Sequence, residues 1–226
     1  MKPEQIKGIA FDLDGTLLDS APDLAAAVNA MLTAMGADPV AEIQVRHWVG
    51  NGMPVLVQRA MQHIGADKSL FEQAFSLFTQ AYADDPTSRS TLYPGVAEAL
   101  VQLHELRIPM AIITNKAARF LPAILSGFAI DGYFSQVIGG DSLPEKKPHP
   151  MPLQHVCQHW HIEPRQLLMV GDSKNDIEAG KAAGCMTLGL TYGYNYGEHI
   201  GLSNPDQVAD NLLELVAQLA PTNQLV

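Results

Sequence analysis

Apolar and polar positions along the chain fall into two textures. The first apolar run, Ile6 to Phe11, has one charged interruption at Lys7 and reads as a buried strand. From Gly95 onward, short apolar runs alternate with helical patterns. Strands are predicted at Met110–Thr114, Gln136–Gly139, Leu167–Val170 and Met186–Leu190. Helices are predicted at Ala117–Leu125, Met151–Trp160, Asn175–Ala183 and Asn211–Leu219. Pro150 and Pro152 stand near the start of the second of these, and Gly184 closes the third. Strands separated by helices predict an α/β fold, a Rossmann-like parallel sheet with helices on both faces.

The stretch from Ala21 to Ser90 differs. It offers helical patterns at Asp23–Met35, Ala41–Val49, Pro54–Ile64 and Leu70–Tyr82, and no convincing strand. Leu24, Val28, Met31, Leu32 and Met35 recur at helical spacing, and so do Phe71, Phe75 and Phe78, a stripe that reads as core packing. The expected organisation is an α/β core from residues 1–19 and 91–226, with a small all-helical cap domain from 20–90. The polar stretch Asp84-Asp85-Pro86-Thr87-Ser88 is expected to serve as the return hinge.

Against this background the polar segment after the first strand stands out. In Asp12-Leu13-Asp14-Gly15-Thr16, an extended backbone puts both carboxylates on one side, Gly15 permits a tight turn, and Thr16 adds a hydroxyl. Acids at the carboxyl end of a central strand sit where open α/β sheets bind ligands, and their mutual repulsion calls for a divalent cation. Composition narrows the partners. The chain of 226 residues has 14 basic and 24 acidic side chains and a net charge of -10, which argues against nucleic acid and anionic membranes. No apolar stretch approaches the roughly 20 residues of a membrane span. Nor does the N-terminal sequence carry the apolar core of a signal peptide, so a cytoplasmic protein is expected. Cys157 and Cys185 match no metal spacing and are expected to be reduced and structural. His155, His159 and His161 lack an acidic partner and read as surface or packing residues.

Further polar groups follow later strands. Thr114 and Asn115 end one, Lys147 lies in the loop Glu145–Pro150, and Asp172 and Asp176 follow Leu167–Val170. Carboxylates from two strands, a hydroxyl from a third and a lysine suit a phosphate held against Mg2+. These four motifs in order resemble the haloacid dehalogenase superfamily of phosphohydrolases, over the whole chain. The resemblance implies that Asp12 is a nucleophile forming an aspartyl-phosphate and that Asp14 is the general acid and then the base. It implies that Thr114 and Asn115 orient phosphoryl oxygens and that Lys147, which precedes proline as the family's lysine does, stabilises the negative charge. Asp12, the main-chain carbonyl of Asp14 and Asp172 would bind Mg2+, with Asp176 supporting the metal's shell. Asp14 must hold a proton near neutral pH for its role, which neighbouring Asp12 and burial under a closed cap favour. Dehalogenating relatives carry no acid at the position of Asp14, so its presence argues for phosphoryl transfer.

Two stretches bear on the substrate. Val49-Gly50-Asn51-Gly52-Met53-Pro54 is a turn between cap helices, and Thr191-Tyr192-Gly193-Tyr194-Asn195-Tyr196 follows the last strand. Both resemble segments of those family members that hydrolyse 2-phosphoglycolate. Backbone N–H groups of Gly50 and Asn51, with Arg46 and His47 just before them, would hold a carboxylate. Tyr192, Tyr194 and Asn195 would line the entrance or pack. The expectation is an Mg2+-dependent phosphomonoester hydrolase acting on a small phosphorylated metabolite, as monomer or homodimer. The alternatives are a sugar-phosphate phosphatase or phosphomutase on the same scaffold, and a non-catalytic, receiver-like phosphate-binding module. Asp141, after Gly139-Gly140, is open between a turn acid and a site neighbour.

Overall fold

The protein is described by a computed structural model that covers residues 5–219. Its elements in chain order are β1 (Gly8–Phe11), β2 (Leu18–Asp19), α1 (Ala21–Ala34), α2 (Glu42–Arg46), α3 (Met53–His63), α4 (Phe71–Asp84), β3 (Thr91–Leu92) and α5 (Val96–Glu105). There follow β4 (Met110–Ile113), α6 (Leu121–Gly127), β5 (Gln136–Ile138), α7 (Met151–Trp160), β6 (Leu167–Gly171), α8 (Lys174–Ala183), β7 (Met186–Leu190), β8 (Gln207–Ala209) and α9 (Leu212–Leu219). No helix among the described residues is long and apolar enough to cross a membrane.

Six strands form one parallel sheet in the order β5-β4-β1-β6-β7-β8. Strand β1 is central, with Ile9 beside Met110 of β4 and Leu168 of β6. All four of its residues are buried, as expected of a strand covered on both faces. Its side chains alternate between two cores. Ile9 and Phe11 join Ile112, Leu168 and Val170 against α5 and α9, where Val96, Leu100, Leu103, Leu212 and Leu215 are buried. Ala10 faces the other way with Ala111, Ile113 and Met169, against Leu153 and Val156 of α7 and Ala179 of α8. The chain leaves β1 first toward β4 and β5, then crosses to β6, so the sheet changes winding direction beside its central strand. A crevice opens there at the carboxyl ends.

Between β2 and β3 lie only helices. The two short strands pair antiparallel, Leu18 with Leu92 and Asp19 with Thr91, where the chain enters and leaves the insert. The return is therefore pinned at Thr91–Leu92, a few residues beyond the polar stretch expected to form the hinge. Asp23 fixes it from α1: its buried carboxylate accepts bonds from the Arg89 N–H at 3.0 Å, the Ser90 N–H at 2.8 Å and the Ser90 hydroxyl. In the insert α1 packs against α4, and Leu24, Val28, Met31 and Leu32 share a core with Phe78 and Tyr82. The Phe stripe is only partly core. Phe78 is fully buried, whereas Phe71 and Phe75 are half-buried and stack on each other at 5.6 Å.

Candidate active site

Three segments meet at Asp12, which follows directly from β1. Its Oδ1 accepts the Leu13 N–H at 2.7 Å and lies 2.9 Å from the Lys147 ammonium. Among the described residues no hydrogen bond reaches Oδ2. Lys147 is buried and spans to Asp176 Oδ1 at 2.6 Å. Its main-chain carbonyl is held by the Asn115 amide at 2.9 Å. Asp172 follows β6 and is locked from both sides: Thr16 Oγ1 donates to Oδ1 and the Tyr194 N–H to Oδ2, each at 2.8 Å. A Cβ at Gly15 or Gly193, both at positive φ, would collide with this carboxylate. The glycine of the Asp-x-Asp-Gly turn is thus required twice, for the turn and for the approach of Asp172.

Asp176 belongs to helix α8 as much as to the site. It sits in the first turn, where Oδ2 accepts the Ser173 N–H at 3.0 Å and the Ser173 hydroxyl at 2.8 Å, the reciprocal bond of a capping box. Its Oδ1 is bound by Lys147, so Asp176 also fixes Lys147 and the helix start. Asp12, Asp172 and Asp176 nevertheless bring carboxylate oxygens within 4.8 Å of one another, all buried.

Electrostatics tests whether a cation fits. Burial pushes Asp12 up to about 7, with Asp176 and Asp14 adding to the shift and Lys147 opposing it. Asp172 is raised well above the carboxylate range, first by burial and then by Asp176 and Asp12. Acids held this far from their ordinary state by burial and mutual repulsion form a hard-oxygen donor set short of positive charge, which fits a divalent cation. Asp12, Asp172 and Asp176 are the side chains whose oxygens could hold it.

Asp14 is oriented differently from Asp12. Ser20 Oγ donates to its Oδ1 at 2.6 Å, and the Lys116 ammonium contacts Oδ1 and Oδ2 at 2.8 and 3.0 Å. Thr114, at the end of β4, is buried, and its Oγ1 accepts the Lys116 N–H at 3.2 Å. In the sequence Lys116, a lysine after a polar pair, resembles a solvated loop charge. Its adjacency to a strand-end hydroxyl was the available signal.

The insert closes over this cluster. The Gly50 carbonyl accepts from the Asn115 and Asn175 amides at 2.9 and 3.0 Å, and the Asn51 carbonyl from Lys146 at 3.1 Å. Asn51 Oδ1 accepts from Arg59 and from the Tyr196 hydroxyl. Beneath the turn lies a cavity of about 30 Å3, lined by Asp12, Asp14, Gly50, Thr114, Asn115 and Lys116 among others. Arg46 does not line it; its guanidinium is paired with Asp19 and Glu42 and lies over the Tyr194 ring. Asn51 is at the closing seam and also does not line the cavity. The tyrosines after β7 act as supports: Tyr192 donates to the Thr16 carbonyl, and Tyr194 donates to Asp19. Asp141 is a turn acid, accepting the Ala118 N–H at 2.7 Å. Asp12, Asp14, Thr114 and Asn115 therefore share the cavity under Gly50, Lys147, Asp172 and Asp176 gather around Asp12, and Arg46 and Asn51 lie outside the cavity.

The chain matches the haloacid dehalogenase-like hydrolase model over residues 9–190. It is 49% identical over 225 residues to the phosphoglycolate phosphatase of Vibrio parahaemolyticus, an alignment spanning 97% of this chain and 99% of that one. The Photobacterium profundum phosphoglycolate phosphatase is 49% identical over 218 residues, 94% of this chain and 95% of its own. Among solved structures, a predicted phosphoglycolate phosphatase from Haemophilus somnus superposes with a TM-score of 0.90 at 41% identity, covering 94% of this chain and 97% of that one.

Proposed function

The chain belongs to the haloacid dehalogenase-like hydrolases, and we propose that within that family it is an Mg2+-dependent phosphomonoesterase that hydrolyses 2-phosphoglycolate to glycolate and phosphate through an aspartyl-phosphate. The observation that carries this reading is the gathering of Lys147 and Asp172 around Asp12, which with Asp14 lines a cavity at the strand ends. In this reading the core is residues 1–19 and 91–226, and residues 20–90 are a cap that opens to admit substrate and closes to exclude water. The high identity to phosphoglycolate phosphatases supports a two-carbon substrate.

Each residue then has a distinct task. Asp12 Oδ2, free of hydrogen bonds among the described residues, attacks phosphorus while Lys147 fixes Oδ1. The phosphorus–ester oxygen bond breaks, and the departing alkoxide takes a proton from Asp14. Thr114 and Asn115 orient the phosphoryl oxygens. In the second half, Asp14 takes a proton from water as the water attacks phosphorus, releasing phosphate and restoring the Asp12 carboxylate. Held by Asp12 and Asp172, with Asp176 in support, Mg2+ would supply charge neutralisation for the dianion and the carboxylates. Asp172 is held ready by Thr16 and Tyr194, so the donor set is fixed before loading.

A panel of small phosphoesters with and without Mg2+ tests the assignment. The highest kcat/KM is expected for 2-phosphoglycolate, with activity lost in EDTA. Faster turnover of a sugar phosphate, or an isomerised product in place of inorganic phosphate, would contradict it.

The acid cluster also predicts a pH signature of the metal-free protein. Asp12 and Asp172 keep protons in the folded chain at pH values where the unfolded chain, with ordinary carboxylates near 3.9, has lost them. The folded state then binds more protons, so their contribution is favourable at low pH and is lost as pH rises above about 4, for Asp12 through about 7. In EDTA the Tm is expected to fall by roughly 5 °C or more between about pH 5 and pH 8. Mg2+ should restore more at the higher pH. Equal responses to Mg2+ at both pH values would contradict the assignment of these acids to the metal.

A further inference from the structure

The cavity beneath the closing turn contains one cation. Among the described residues that line it, Lys116 alone is cationic. Its side chain is 3% exposed, its ammonium binds both Asp14 oxygens, and it lies over the Tyr82 ring at 4.9 Å from the centroid. An ammonium has three donors. Asp14 takes two; the Tyr82 hydroxyl is the remaining polar neighbour of the third and does not reach hydrogen-bond geometry with it. A second polar group on the same wall is also unsatisfied: the Tyr82 hydroxyl is buried and has no hydrogen-bond partner among the described residues. Leu24, Val49, Met53 and Leu56 supply the apolar remainder. A buried hydroxyl and a spare ammonium donor side by side call for an acceptor that arrives with the ligand.

We propose that Lys116, with the Tyr82 hydroxyl beside it, binds the carboxylate of the substrate and so selects a phosphorylated acid over a neutral phosphoester. This deepens the phosphatase reading above and rests on it. Arg46, the cation that sequence proximity favours for this task, is already committed to Asp19 and Glu42. Lys116 has a spare donor and faces the same cavity as Asp12. A low-dielectric site strengthens an ammonium–carboxylate contact. A neutral substrate would leave the Tyr82 hydroxyl and the third lysine donor unpaired, which is how polar sites reject analogues. Tyr82 comes from α4 of the insert and Lys116 from the loop after β4 of the core. A carboxylate that bridges them forms both bonds only when the insert is closed, so recognition and closure are coupled.

The test compares 2-phosphoglycolate with ethyl phosphate, which lacks the carboxylate, using the full chain with Mg2+. The wild-type ratio of the two kcat/KM values tests the substrate reading by itself. A ratio near one removes that reading and the Lys116 assignment with it. Where the wild type prefers 2-phosphoglycolate, Lys116→Met is expected to lower the ratio about 100-fold, mostly through KM, with a smaller loss on ethyl phosphate. An equal loss on both substrates overturns the proposal while the substrate reading stands, and leaves Lys116 as a positioning residue for Asp14. Should Lys116→Met not fold, Tyr82→Phe is read the same way, since it keeps the ring on Phe78 and Phe120. A fall in the ratio of about five-fold or more supports the proposal, and an unchanged ratio overturns it.

Discussion

Asp12→Asn lowers turnover of p-nitrophenyl phosphate by about 10^4-fold or more and leaves the protein folded. The loss follows from chemistry: an amide oxygen is a poor nucleophile toward phosphorus, and no neighbouring carboxylate replaces it. Asp14 is engaged with Ser20 and Lys116, Asp172 with Thr16 and Tyr194, and Asp176 with Lys147 and Ser173. The fold survives because an amide of the same shape still accepts the Leu13 N–H and removes one of three mutually repelling buried acids. In EDTA the variant should melt at or above the wild-type temperature near neutral pH. Turnover within ten-fold of wild type would remove Asp12 from the nucleophile role.

Lys147→Ala has the second largest effect, and it strikes stability as well as activity. The Lys147 ammonium is the shared cation of Asp12 and Asp176, at 2.9 and 2.6 Å, and all three groups are buried. Removing one partner of a buried ionic cluster leaves the others uncompensated, at a cost of about 3–5 kcal/mol. Urea denaturation in EDTA should show a loss of that size, larger at about pH 8 than at about pH 5, where the acids take up protons instead. Catalysis should fall on the order of 10^3-fold with Mg2+ present, since both the nucleophile and the transferring phosphoryl lose their fixed countercharge. A variant as stable as wild type at both pH values would show that Lys147 does not neutralise this cluster.

The sequence was most readable where burial is complete. Strand β1, β4 and β6 are continuous apolar runs because both faces of a parallel sheet are covered, and β7 and α7 begin and end where the pattern places them. What escaped is short or depends on partners. The pairs Leu18–Asp19 and Thr91–Leu92 carry no periodicity and exist only because the chain crosses itself at the insert. Edge strand β8 has three residues, with Gln207 and Val208 incompletely buried. Helix α5 buries Val96, Ala99, Leu100 and Leu103, a helical spacing not among the elements predicted from the sequence.

Site residues divide along the same line. Acids that end strands are displayed by the strand itself, so Asp12 and Asp172 are legible from position alone. Asp176 combines two signals, because Ser173-x-x-Asp176 is also a helix start whose acid bonds back to its own cap. Arg46 and Lys116 lie where they do for a spatial reason. Arg46 precedes the Gly50 turn in sequence, but helix α2 directs it to Asp19. Lys116 looks like one more loop charge, yet the chain folds it inward between Asp14 and Tyr82. No pattern in one segment could report that meeting, since Tyr82 and Asp14 belong to distant parts of the chain.

The central claim is that phosphoryl passes through Asp12. It is tested most directly by acid-quenching the enzyme during turnover of 2-phosphoglycolate with Mg2+, reducing the quenched protein with borohydride, and locating the reduced residue by peptide mass spectrometry. Reduction at position 12, dependent on both substrate and Mg2+ and absent in Asp12→Asn, is the predicted result. Turnover with no acyl phosphate at Asp12, or with one at Asp14 or Asp172, would contradict the account.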